Sequence, residues 1–226
     1  MTEKLLVVFP HPDDESFGCA GIIAKHIKEG GEVTYACGTL GEMGRNMGSP
    51  IFATRESLPL VREVELKEAC EALGIQKLRK LGLHDKTIEF ESIETLSDML
   101  LKVIKEEQPT KILTHYPNYA VHPDHNALGA ATIRAVQKLP KVGRPTVIAH
   151  AFSRNHEDHI GEADVVLNVT EFMDTKLAAL KAHRSQTENM LKGVELQLSN
   201  NDPEALSFFA TERFWVVDAE QFDLSE

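Results

Sequence analysis

Cysteine is scarce: 226 residues carry three thiols, Cys19, Cys37 and Cys70. An odd number of widely separated cysteines, each among apolar neighbours, argues against a disulfide scaffold and predicts buried, reduced thiols in a cytosolic protein. Long apolar runs are missing too. No stretch approaches the ~20 residues that a membrane-spanning helix needs, and the first apolar run, roughly half a signal core in length, has no basic segment ahead of it. A cytoplasmic protein with no membrane partner is expected. Positive charge is in deficit, with 24 Lys plus Arg against 35 Asp plus Glu and a net charge of −11, which argues against a nucleic-acid partner. Repeats, linkers and low-complexity tracts are absent. With 42% hydrophobic and 26% charged residues the composition is that of a globular protein, long enough for a sizeable core, so residues 1–226 are expected to form a single α/β domain.

Against these absences stands the run Phe9-Pro10-His11-Pro12-Asp13-Asp14-Glu15, which follows the apolar Leu5-Leu6-Val7-Val8. An imidazole and three carboxylates at the end of a buried strand are costly unless a cation or water shares the site. His11 and Asp14 have a separation common for two metal ligands on one tight turn, and Asp13 is left beside them as a free base. Acids in a first helical turn are also favoured by the dipole and the free N–H groups. A second cluster separates the two readings: His122-Pro123-Asp124-His125 again lies between a strand and a helix. Two independent His-Pro-Asp loops in equivalent positions point to chemistry rather than capping.

Periodicity supplies the frame. Lys4 to Phe9 reads as a central strand, Ser16 to Glu29 as one amphipathic helix stopped by Gly30-Gly31, and Glu32 to Cys37 as the next strand, together a βαβ unit. Its first turn lacks the G-x-G-x-x-G spacing and carries acids that repel a pyrophosphate, so nucleotide binding there is rejected. Thr39 to Pro59, with Glu42, Arg45, Asn46 and Arg55, is a long irregular stretch expected to cover the substrate. A helix from Leu60 to Leu73, stopped by Gly74, carries Arg62 in its first turn, aimed at the metal loops. Lys77 to Leu83 is a short strand ending at His84-Asp85. A helix from Ile93 to Glu107, a strand from Lys111 to His115 and a helix from Asn126 to Leu139 follow. Strands are expected at Pro145 to Phe152 and Ala163 to Val169, and His156 and His159 between them in a solvated turn. A helix from Glu171 to Ser185 closes in His183-Arg184, cations that suit its dipole. A last helical region and a strand from Arg213 to Val217 end the chain.

In open α/β sheets ligands collect at the carboxyl ends of the strands, where both loops, Asp85 and Arg62 are expected. Three protein ligands plus water form the usual catalytic zinc set, and His11, Asp14 and His125 supply it. Asp13 is then placed to take a proton from water, and His122 to donate a hydrogen bond or a proton to the oxyanion or leaving amine. Asp124 fits as the carboxylate that orients an imidazole. With no cysteine nucleophile in a plausible setting and no G-x-S-x-G elbow, direct attack by water is the expected mechanism. A two-metal phosphoesterase or a non-catalytic zinc-binding protein built on the same acidic loops stays open on these residues.

The runs His11-Pro12-Asp13-Asp14-Glu15 and His122-Pro123-Asp124-His125, Arg62 ahead of Glu65 to Gly74, and His183-Arg184-Ser185-Gln186 resemble the zinc-dependent sugar de-N-acetylases of the LmbE and PIG-L family, in order and over nearly the whole chain. Thr39-Leu40-Gly41-Glu42-Met43-Gly44-Arg45-Asn46 is most similar to the bacillithiol-biosynthesis branch. The resemblance implies an LmbE-like domain over 1–226, Rossmann-like, with a mostly parallel sheet and helices on both faces. It also implies Zn2+ held by His11, Asp14 and His125, Asp13 as base, and His122 as acid or oxyanion partner. The implied reaction removes acetyl from a small-molecule N-acetylglucosaminyl conjugate, N-acetylglucosaminyl-L-malate in that branch; a relative acting on another N-acetylated sugar would share every catalytic residue. Arg62, Asp85, Glu42 and Arg45 are the expected substrate contacts, with the arginines suited to the carboxylates of malate. One departure is visible: some relatives carry a tyrosine two residues before the second motif, where this chain has Ala120, with Tyr119 one place earlier. The assembly state, a homo-oligomer included, is left open.

Overall fold

The computed structural model describes residues 2–224. The chain runs β1 (Lys4–Phe9), α1 (Asp14–Phe17), α2 (Ala20–Lys28), β2 (Glu32–Cys37), α3 (Leu58–Leu73), β3 (Lys77–Lys80), α4 (Ile93–Glu107), β4 (Lys111–His115) and α5 (Pro123–Gln137). It continues through β5 (Thr146–His150), α6 (Glu157–Ile160), β6 (Val165–Asn168), α7 (Met173–Ala182), α8 (Arg184–Ser199), α9 (Pro203–Ala210) and β7 (Thr211–Val217).

The strands form a seven-stranded sheet in the order β3-β2-β1-β4-β5-β7-β6. The first five are parallel, and β7 runs antiparallel to both β5 and β6. Alternation along β1 explains its place in the middle. Leu5, Val7 and Phe9 pack with Ile23 of α2, Leu66 of α3 and Ala179 of α7, whereas Leu6 and Val8 pack with Leu100 of α4 and Leu128 and Ala131 of α5. A strand buried on both faces reads as an unbroken apolar run. The expected α/β fold, a mostly parallel sheet between two helical layers, is the one observed. Strand order reverses between β1 and β4, and the crevice beyond their carboxyl ends is where such sheets bind ligands. One His-Pro-Asp loop leaves each of these two strands.

Several elements depart from the expected bounds. The single helix expected over Ser16 to Glu29 is broken at Gly18-Cys19 into α1 and α2. A Cβ on Gly18 would lie 2.0 Å from Cε1 of His150, so the chain passes there without a side chain. The start of α2 is capped from a distant strand: Glu212 accepts the Gly21 and Ile22 N–H groups at 2.9 Å each and the Lys176 ammonium at 2.9 Å. That buried carboxylate satisfies two orphan helix donors that no neighbour in sequence could reach. α5 begins at Pro123 rather than Asn126, with His122 as its N-cap, which puts Asp124 and His125 in the first turn. α3 begins at Leu58, so Arg62 lies a full turn inside it. The helix expected over Glu171 to Ser185 is α7 and α8, parted at His183.

Candidate active site

Pro10 and Pro12 lack backbone donors and fix φ, so the chain cannot keep pairing beyond Phe9 and turns across the end of the sheet. Buried partners then pin the turn. Thr39 donates through N–H and Oγ1 to the Pro10 carbonyl at 2.8 and 2.9 Å. Tyr35 donates its hydroxyl to the His11 carbonyl at 2.9 Å, and Arg62 Nη2 donates to the Pro12 carbonyl. The His11 N–H donates to Asp14 Oδ2 at 2.8 Å, and the Asp13 N–H to Glu15 Oε2 at 3.1 Å. Asp13 itself takes φ +106°.

Two histidines and a carboxylate converge above this turn. Nδ1 of His11 lies 3.1 Å from Nε2 of His125. Asp14 reaches His125 Nε2 at 3.1 Å and His11 Nδ1 at 3.6 Å. The far side of each ring is held. His125 Nδ1 meets the Ala120 carbonyl at 2.8 Å, and His11 Nε2 meets Asp85 at 3.1 Å and Asp124 at 3.3 Å. Those acceptors take the ring protons, so in neutral rings the facing nitrogens carry lone pairs that point at each other and at a carboxylate. Such an arrangement requires positive charge in its midst. The carboxylates draw it as protons: although burial pulls both imidazoles down, Asp124, Asp14 and Asp85 raise His11 well above the ordinary value and Asp14 raises His125. A metal ion answers the same demand, and His11, Asp14 and His125 form a group able to hold one.

A second group, His11, Asp85, His122 and Asp124, is also compact, but its protons disfavour it. The Asp124 N–H donates to His122 Nδ1 at 3.1 Å, capping α5. That fixes the His122 proton on Nε2, as a donor rather than a ligand. Burial, with His11 and His125, lowers the His122 pKa, so the ring is neutral near pH 7. Burial pushes the Asp13 carboxyl up to about 6 against the pull of Arg62, whose Nη2 lies 3.0 Å away.

An open cavity of about 750 Å³ adjoins these groups. His11, Asp13, Asp14, Arg45, Arg62, Asp85, His122 and His125 line it, whereas Asp124 and Glu42 do not. Glu42 was expected at the substrate; its carboxylate instead accepts from the Asp85 and Leu40 backbone at 3.2 and 3.4 Å. Both Arg62 Nη atoms are committed, to the Gly41 carbonyl at 3.0 Å and to Pro12 and Asp13. Gly41, at φ +63°, leaves the room: a Cβ there would meet Nη1 at 1.8 Å. Arg45 is exposed, and among the described residues its guanidinium has no partner. Tyr119 does not line the cavity; it stacks on His159.

The β5–β7 flank was not legible as part of the cavity. It adds His150, Phe152, His156, Lys176 and Arg213, and Lys86 joins on the β3 side. His156, expected in a solvated turn, packs on Trp215 at 5.0 Å between centroids. His183, expected as a cation that suits a helix-end dipole, is fully buried against Glu15 at 2.7 Å. The signal for it was already in the chain as His183-Arg184-Ser185-Gln186, but no spacing rule links it to residue 15. Cys19, Cys37 and Cys70 are all free and buried.

Residues 6–136 match the family described as GlcNAc-PI de-N-acetylase, PIG-L. The chain is 53% identical over 215 residues to the probable N-acetyl-alpha-D-glucosaminyl L-malate deacetylase 2 of Bacillus subtilis, covering 95% of this chain and 97% of that one. It is 51% identical over 215 residues to the Bacillus cereus protein of the same name, covering 95% and 98%. Among solved structures it is similar to the N,N'-diacetylchitobiose deacetylase from Pyrococcus horikoshii, with a TM-score of 0.75, 25% identity, and coverage of 98% of this chain and 86% of that one.

Proposed function

The chain belongs to the PIG-L family of de-N-acetylases, and on that footing we propose that it hydrolyses the acetamide of N-acetyl-α-D-glucosaminyl L-malate, releasing acetate and the free glucosaminyl amine. The observation that carries the reading is the convergence of His11 Nδ1, Asp14 and His125 Nε2 in a cavity that the Arg62-paired carboxylate of Asp13 and the His122 ring also line. Two imidazoles and a carboxylate suit zinc, which when bound there supplies Lewis acidity toward water and the acetamide carbonyl.

The protein's own groups do the rest. Asp13, fixed by Arg62, accepts a proton from the attacking water and returns it to the departing amine. His122, neutral and with its proton on Nε2, donates a hydrogen bond to the carbonyl oxygen as negative charge grows on it. His11 donates its Nε2–H to Asp124 and Asp85, which hold that ring with Nδ1 forward. Arg62 serves Asp13, its Nη2 donors shared between that carboxylate and the Pro12 carbonyl. Arg45, exposed at the rim, pairs with a carboxylate of the malate aglycone. His122 as a donor, with the His11 Nε2–H turned to Asp85 and Asp124, leaves only two carboxylates of the second group as ligands, which disfavours a two-metal phosphoesterase. The three buried thiols support a reducing, cytoplasmic setting. That seven strands share a sheet supports one domain over 1–226.

The test is acetate release by purified, zinc-loaded protein from N-acetylglucosaminyl-malate and from other N-acetylglucosamine conjugates. The malate conjugate is expected to give the highest kcat/KM. A better substrate among the others would move the aglycone assignment, and acetate from none of them would overturn the reaction.

A further inference from the structure

Two residues that the chemistry leaves unused, Glu15 at the end of the first motif and His183, meet beneath the turn that carries Asp13. Glu15 Oε1 lies 2.7 Å from His183 Nε2, both side chains are 0% exposed, and neither lines the cavity. The other oxygen, Oε2, accepts the Asp13 N–H at 3.1 Å. That N–H belongs to the same peptide unit as the Pro12 carbonyl, which Arg62 Nη2 binds from the opposite edge. One peptide plane is thus gripped on both sides. Its orientation sets φ of Asp13, which at +106° lies where residues other than glycine rarely go. Without the grip the plane is free to turn and relax that φ, swinging the Asp13 carboxylate off the Arg62 guanidinium, 3.0 Å away. His183 sits at the break between α7 and α8, with backbone angles of neither helix, φ −79° and ψ 46°. The break is what lets its ring reach under α1.

We propose that Glu15 and His183 are a positioning pair that fixes the Pro12–Asp13 peptide and so aims the Asp13 carboxylate at the reacting water. The inference rests on the reading of Asp13 as the base. Glu15 acts through a backbone N–H and His183 acts through Glu15, so neither touches substrate.

A double-mutant cycle with zinc-loaded protein tests it. Glu15→Ala is expected to lower kcat by at least about tenfold with KM changed less than about twofold, and in an Asp13→Ala background to lower the residual kcat by less than about twofold. Bound zinc per chain should be unchanged. His183→Leu should behave as Glu15→Ala does, and His183→Gln, whose amide can still donate to Glu15, should recover most of the rate. Equal fold losses in both backgrounds would make the pair a general support of the fold and overturn the proposal. If Glu15→Ala does not fold, the His183→Leu and His183→Gln comparison decides, and equal rates for the two overturn it. Full activity of Asp13→Ala alone would instead remove the base assignment, and the inference with it.

Discussion

Nδ1 of His11 stands 3.1 Å from Nε2 of His125. One residue leaves β1 and the other lies in the first turn of α5, and each ring donates its N–H to an acceptor on its far side. Two lone pairs and the Asp14 carboxylate held this close repel one another, so the fold keeps a place where only a cation is stable. The surrounding carboxylates explain why the rings are not simply turned. Asp85 and Asp124 hold His11 from behind, and the Ala120 carbonyl holds His125.

His125→Ala is therefore expected to lose most of its bound zinc, whereas His122→Asn keeps about one ion per chain and loses rate. Asparagine is chosen at 122 because it caps α5 as the histidine does and removes only the Nε2 donor. The fall in kcat expected for losing an oxyanion donor is on the order of 10²- to 10³-fold. Metal analysis and kinetics on the same preparations decide the point. Zinc loss from His122→Asn with helicity intact would place that imidazole among the ligands.

Asp13→Asn tests the base. Asparagine tolerates left-handed backbone better than most residues, so the turn should survive the change. Zinc content is expected to stay, and kcat to fall on the order of 10²- to 10⁴-fold. As the proposed base the carboxylate must be charged, so kcat/KM should fall as pH drops through its pKa. Burial sets that near 6, and a cation on the neighbouring donors moves it lower. An undiminished rate in the asparagine variant would remove Asp13 from the mechanism.

Much of the frame was legible because it is local. The apolar runs of β1 and β4, the Gly74 stop of α3 and the two His-Pro-Asp loops are short patterns whose meaning follows from strand period, turn chemistry and ligand spacing. Pairs remote in sequence were not. Nothing in Glu15 announces His183, and nothing in Lys176 announces Glu212; their reasons are a peptide to be held and a helix start to be capped. Helix ends shifted for the same cause. α5 could start at Pro123 because His122 supplied the cap, and α2 could start at Ala20 because Glu212 did. Arg62 was legible as a residue aimed at the site but not as the partner of Asp13, since only the structure shows its Nη2 on that carboxylate.

His150 predicts how stability depends on pH. Burial, aided by the charge of Lys176, pushes its imidazole down to about 4, whereas a free histidine in the unfolded chain titrates near 6.5. Between those values the unfolded state binds the extra proton, so stability falls as pH drops through the window and is fully present above it. His115, lowered by burial and by His125, acts in the same direction. Urea midpoints of chelator-treated protein at pH 7, 6 and 5 are expected to decline more steeply for the wild type than for His150→Gln. The difference is at most about 1.4 kcal/mol per pH unit for a single group. Parallel declines would show that His150 is protonated in the folded state or reaches solvent there.

Charge on the substrate provides the last test. His11, Asp14 and His125 stand at the switch point between β1 and β4, and the cavity rim toward β2 and β3 carries Arg45 and Lys86. Both are exposed, and among the described residues neither side-chain cation has a protein partner. In a chain of net charge −11, two unpaired cations beside a cavity lined with Asp13, Asp14 and Asp85 mark a place for an anionic group. A malate aglycone brings two carboxylates, and a guanidinium can bind one of them in bidentate fashion. Solvent screening limits each contact, so Arg45→Gln should lower kcat/KM for the malate conjugate by about fivefold, near 1 kcal/mol. Lys86→Gln should do the same on a smaller scale, because a point charge lacks the matched geometry. The neutral methyl glycoside of N-acetylglucosamine should be hydrolysed equally by wild type and both variants. Raising ionic strength should erode the wild-type preference for the malate conjugate and leave the glycoside unaffected. Equal losses on both substrates would assign Arg45 to the sugar ring, and no loss on either would leave the aglycone to the β5–β7 flank, where Arg213 and the Glu212-paired Lys176 line the cavity wall.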